Sequence, residues 1–131
     1  MRPVVLTILM LAYGVFGVAF AAWALLGRGA AADSPLALPL PEAVLWTAAA
    51  ANLVIAAGIA RRMRAIRWFA VAVHAVVTTL AVVATVQHVL EGHLDASTCL
   101  EMAMKCGVHA GLCRYWWRAR SVAAWFGGDR R

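Results

Sequence analysis

Apolar positions along the chain are gathered into four long runs, each closed by a short polar stretch. No charged side chain occurs between residues 3 and 27 or between 43 and 60, and 68–90 holds only His74 and His88 as ionisable groups. The fourth run, roughly 98–117, is the least apolar and carries Glu101, Lys105, His109 and Arg114. At about 1.5 Å of rise per residue, runs of ~20 residues match a hydrocarbon core ~30 Å thick. The pattern predicts helices over about 4–27, 42–61, 67–91 and 98–118, with a short amphipathic tail over 119–127. Short connections make consecutive helices antiparallel neighbours. The expected fold is therefore all-α: one integral membrane domain, 1–131, built as an up-down bundle of four transmembrane helices.

Local signals punctuate these runs. Arg2, the first apolar run and Ala30-Ala31-Ala32 have the order of a signal peptide. The run is roughly twice the length of a signal-peptide core, so an uncleaved first helix is expected. Pro35, Pro39 and Pro41 prevent a regular helix across 28–41, and Pro41-Glu42 reads as a helix start with a carboxylate near the positive end of the helix dipole. Thr98 with Glu101 fits a capping box for the fourth helix, to which Asp95 adds favourable charge. Gly127-Gly128 ends the tail.

Helical spacing then sorts side chains onto faces. In the third helix His74, Thr78, Ala81, Thr85 and His88 share a polar stripe. In the fourth, Cys99, Met102, Cys106, His109 and Cys113 step by three, four, three and four and form a stripe of soft donors. Across the connecting loop, His88 is expected near the depth of Leu100 to Met102, and His74 near Cys113 and Arg114. Glu101 and Lys105 form an i,i+4 pair on another face, which predicts self-neutralisation. Small residues mark expected helix contacts at Gly14, Gly17 and Ala21 in the first helix and at Gly107 and Gly111 in the fourth. Because lipid tails tolerate ionisable groups poorly, the fourth helix is expected to be the most protein-enclosed of the four.

Composition places the chain outside the soluble class, with 64% hydrophobic and 14% charged residues. A net charge of +6 alone would admit nucleic acid as a partner. Its distribution points to membrane topology instead. Arg61, Arg62, Arg64 and Arg67 crowd one loop, and Arg114, Arg118, Arg120, Arg130 and Arg131 crowd the C-terminus, whereas the other loops carry Arg28 with Asp33, and Glu91 with Asp95. The positive-inside rule then sets both termini in the cytoplasm, with anionic lipid head groups as sufficient partners for the arginines and no role for nucleic acid. Three cysteines at seven-residue spacing lie ~10 Å from one neighbour to the next along a helix, too far for an intrahelical disulfide.

The four-helix layout and the ending Tyr115-x-x-Arg118-x-x-x-Val122-x-x-x-Phe126 resemble small uncharacterised four-helix proteins of the bacterial inner membrane. The resemblance implies a fold and a multi-pass inner-membrane location, and it carries no catalytic residue with it.

No phosphate-cradling glycine loop and no credible Ser-His-Asp set is present, so no enzyme is expected. Small multidrug exporters are similar in size and helix count, but this chain lacks a carboxylate in the middle of its first helix. The function expected first is helix–helix association, as a homo-oligomer or as an accessory subunit of a larger membrane complex, without a cofactor. The first alternative is ligand binding. The spacing of His74 and His88 resembles that of haem-ligating helices in membrane b-type cytochromes, and since His109 is the one further histidine available on a facing helix, a second copy or partner would be required. Cys99, Met102, Cys106, His109 and Cys113 would suit Cu(I) or another thiophilic ion. The second alternative is a small transporter with Glu101 and Lys105 in its path.

Overall fold

A computed structural model describes residues 3–28, 30, 40–92 and 95–127. Expectations for Arg2, Ala31-Ala32, Asp33, Pro35, Pro39, Gly128, Arg130 and Arg131 lie outside the described residues. Five helices follow in order: α1 Val4–Leu26, α2 Glu42–Ala60, α3 Arg64–Leu90, α4 Ala96–Arg118 and α5 Arg120–Gly127. Among the described residues there is no strand. Contacts divide the chain into two compact units, Met1–Ile66 and Arg67–Arg131.

In the first unit α1 and α2 pack antiparallel. Leu6, Tyr13, Gly17 and Ala24 form the buried stripe of α1, against Leu45, Ala49, Ile55 and Ile59 of α2. Gly17 is required by this approach: a Cβ there would lie 2.7 Å from Leu53 Cγ and 3.2 Å from the Ala49 carbonyl oxygen. One end of the pair is tied by Arg28 donating to Glu42, whose Oε1 also accepts from Trp46 Nε1 at 3.0 Å. At the other end α2 stops in a Schellman arrangement. The Met63 amide bonds to the Gly58 carbonyl at 2.9 Å and the Arg62 amide to that of Ile59 at 3.3 Å, with Arg62 at φ 55° in the left-handed region. This tight turn lets α3 begin at Arg64, three residues before the expected start, and it drops Ile66 onto Gly58. A Cβ at Gly58 would lie 2.7 Å from Ile66 Cβ.

In the second unit α3 and α4 run antiparallel through the turn at Gly92, which has φ +72°. The cap of α4 differs from the capping box expected at Thr98. Asp95 is the N-cap and accepts from the Thr98 amide at 2.6 Å, so the helix starts earlier, at Ala96. That bond holds the Asp95 carboxyl below its ordinary value. Ala119 is extended and interrupts the helix between α4 and α5. Val122 and Phe126 then turn back onto Trp116, which is fully buried, with the Trp116 and Phe126 ring centroids 6.1 Å apart.

Three helices, α1, α2 and α3, are long and apolar enough to cross a membrane. Their outer faces carry exposed large apolar side chains such as Phe16, Val54 and Leu80. α4 has the length at 23 residues, but Glu101, Lys105 and its other polar side chains leave it less apolar. Nor is it enclosed, as the sequence led us to expect. Trp116 is its one buried residue.

Candidate functional site

Unusual chemistry concentrates where α3 meets α4. The two polar stripes predicted from helical spacing face each other there, and the structure divides them into two clusters. At mid-helix the His74 and His109 Nδ1 atoms are 2.9 Å apart, with ring centroids separated by 5.2 Å. One ring must donate through Nδ1 and the other accept, so the bond fixes different protonation of the two Nδ1 atoms. His74 is only 3% exposed. Thr78 donates its hydroxyl to the His74 carbonyl at 2.7 Å, and the Cys113 thiol approaches the Val71 carbonyl at 3.8 Å. His74 thus pairs one turn before the expected Cys113–Arg114 level.

Below this cluster Arg67 caps the end of α4. Its Nε donates to the Trp116 carbonyl at 2.9 Å and its Nη2 to that of Trp117. The last carbonyls of a helix generally lie beyond the reach of its own amides, and a cation there complements the helix dipole. Trp68 meets Trp117 edge-on, with centroids 6.4 Å apart. Arg114 and Arg118 flank a small cavity of about 130 Å³ with Trp117 and Cys113. Tyr115 Oη is buried without a partner among the described residues.

The second cluster lies toward the 91–95 loop. Here a cavity of about 260 Å³ is lined by Thr85 and His88 from α3 and by Thr98, Cys99, Met102 and Cys106 from α4, among apolar neighbours. His88 Nδ1 is buried and has no hydrogen-bond partner among the described residues. The three cysteines are free thiols, with Cys99 exposed and Cys106 and Cys113 half-buried.

The five-residue soft stripe is therefore split. Cys99, Met102 and Cys106 share a cavity with His88, whereas His109 and Cys113 turn to His74 and Val71. The three histidines proposed for haem divide in the same way. A haem iron would sit between two imidazole nitrogens, and the 2.9 Å approach of His74 and His109 closes that gap in this chain. Among the described residues no group of three or more His, Cys, Asp or Glu side chains gathers closely enough to hold a metal ion.

The remaining predicted positions are placed as follows. Glu101 and Lys105 do form their ion pair, with side chains 59% and 52% exposed. Of the small residues, Gly17 is in tight contact and Ala21 is half-buried, but a Cβ at Gly14, Gly107 or Gly111 would meet nothing within 4 Å. The sequence reading missed Gly58 and the Arg67 clamp. An arginine at the edge of an apolar run was visible, but nothing marked the carbonyls it would reach.

Comparisons with protein-family models, curated proteins and solved structures gave no match. The class is thus set by the chain itself: an all-helical protein in which three helices are long and apolar enough to cross a membrane.

Proposed function

We propose that this is a multi-pass protein of the bacterial inner membrane in which α4 is a fourth crossing and both termini are cytoplasmic. It works by association, using α4 to bind a second copy of the chain or a subunit of a larger membrane complex, and it catalyses no reaction itself.

One observation carries the reading, the exposed Glu101–Lys105 pair. At the helical rise Glu101 lies about 7 Å and Lys105 about 13 Å along α4 from Ala96, so the pair reaches from the first turns toward the middle of the helix. Charges at that depth are expensive in lipid even when paired, and they normally face protein or water. The chain leaves this pair more than half exposed. Another protein surface covering α4 would remove the conflict, and the bare backbone at Gly107 and Gly111 would let a helix approach closely. The other face of α4 already has its partner in α3.

Photo-crosslinking in intact membranes tests the proposal. Met104 is 61% exposed and adjoins the ion pair in sequence. A photoreactive residue there should yield discrete protein adducts, either to a second copy or to one larger subunit. Adducts to lipid alone would refute association through α4.

A further inference from the structure

The cavity near the 91–95 loop has the donors of a soft-metal site. We propose that it binds one Cu(I) ion through His88, Cys99 and Met102, a role separate from the association through α4.

Two independent features point to a ligand. The first is the buried His88 Nδ1, which lacks a partner among the described residues. A polar atom removed from water and left unpaired is unfavourable, and coordination would satisfy it. The second is the neighbourhood, since the cavity adjoining this imidazole is lined by two thiols and a thioether. Imidazole, thiol and thioether together select a soft ion over a hard one.

Helix register decides which thiol takes part. With His74 opposite His109 in an antiparallel pair, Cys99 is level with Ala84 and Cys106 with Val77. Cys99 is therefore about one turn from His88, whereas Cys106 is about three turns away, roughly 16 Å along the axis. Met102 follows Cys99 by three residues on the same face, level with Ala81 and so about two turns from His88, roughly 10 Å along the axis, a span that its long side chain, leaning toward the start of α4, shortens. The far-apart levels of Cys99 and Cys106 also explain why no three His or Cys side chains converge here. A third donor has to be Met102.

Charge balance selects the ion. When Cu(I) binds, the Cys99 thiol gives up its proton to solvent and the thiolate forms the Cu–S bond, while His88 and Met102 donate as neutral ligands. One thiolate cancels one unit of charge, so the complex is neutral and suits an apolar cavity. A divalent ion on the same donors would retain a positive charge there. Cys99 is also the exposed thiol of the three, so it can meet an incoming ion first.

The test uses the purified full chain in detergent, anaerobic and fully reduced, titrated with Cu(I) against a chromophoric Cu(I) chelator. One equivalent should bind, and X-ray absorption should show one imidazole nitrogen and two sulfur ligands. Cys99→Ser, Met102→Leu and His88→Gln should each weaken binding roughly tenfold or more, since even the partners of metal ligands have effects of that size. Cys106→Ser and Cys113→Ser should leave it unchanged. Met102→Leu conserves volume and hence the packing, and the absorption spectrum of the wild-type chain does not depend on any variant folding. A sulfur-only spectrum, binding indifferent to His88 and Met102, loss of binding in Cys106→Ser or Cys113→Ser, or no stoichiometric binding would each overturn the proposal.

Discussion

Replacing Gly111 with leucine separates the stability of the single chain from its association. Within the chain a Cβ at Gly111 meets nothing within 4 Å, so the new side chain displaces no neighbour. Helix propensity favours the change, since glycine in a helix interior is less favourable than leucine by roughly 0.5–1 kcal/mol. The isolated chain should therefore hold its thermal stability or gain slightly. The contact proposed on α4 responds in the opposite direction. If a second helix rests on Gly107 and Gly111, the leucine pushes the two backbones apart and loses packing along the contact, at a cost of about 1–3 kcal/mol by analogy with overpacked cores. That amounts to a roughly 5- to 150-fold weaker association. Light scattering and a dilution series of fluorescence energy transfer in detergent would measure it, with thermal melting of the same samples as the internal control. Cys106→Ala, which removes a small half-buried side chain and intrudes nowhere, should have a smaller effect. Gly111→Leu with unchanged association would refute the Gly107–Gly111 face as the contact. A lower melting point with association intact would refute the open surroundings on which the reasoning rests.

Other outcomes follow from packing and capping. Gly58→Ala should destabilise the first unit by about 1–3 kcal/mol, because the added Cβ would sit 2.7 Å from the Cβ of buried Ile66, which is tied closely to its backbone. Gly17→Ala should cost less, since its nearest contacts are the outer atoms of Leu53, a side chain 41% exposed, and Gly14→Ala should cost nothing; thermal melting of the three variants ranks them. The Asp95 carboxyl is held below its ordinary value by the Thr98 amide, so its contribution to α4 is present above the unfolded pKa and lost as pH falls through the folded one. Amide protection over 97–99, taken relative to the intrinsic exchange rate at each pH, should fall on acidification in the wild-type chain, whereas in Asp95→Asn, also a good N-cap, it should change little.

Much of the architecture is legible in the sequence because its signals are local. Long charge-free runs mark α1, α2 and α3, and their apolar outer faces agree with that reading. The short amphipathic tail expected over 119–127 is the helix α5, although its return onto Trp116 was not marked, and Glu101 and Lys105 pair as their spacing predicts. Even the early start of α4 has a local cause, a capping aspartate three residues before Thr98. The expected enclosure of α4 failed for a different reason. Intolerance of lipid shows that polar residues need cover, but it does not show that the same chain supplies it.

Helical periodicity determines which side chains share a face, and by itself it established the stripe of His74, Thr78, Thr85 and His88 and the stripe running from Cys99 to Cys113. It contains no information on the rotation of one helix against another or on their register, which are properties of two packed surfaces. Tertiary structure alone decided that His109 closes onto His74, that Cys113 lies against Val71, and that Cys99 and Met102 share a cavity with His88. It likewise separated four glycines that look alike in sequence, packing Gly17 and Gly58 against Leu53 and Ile66 while leaving Gly14 and Gly111 bare. A glycine's role depends on what approaches it, and that depends on how the ridges of the neighbouring helix meet the gap where its side chain would be.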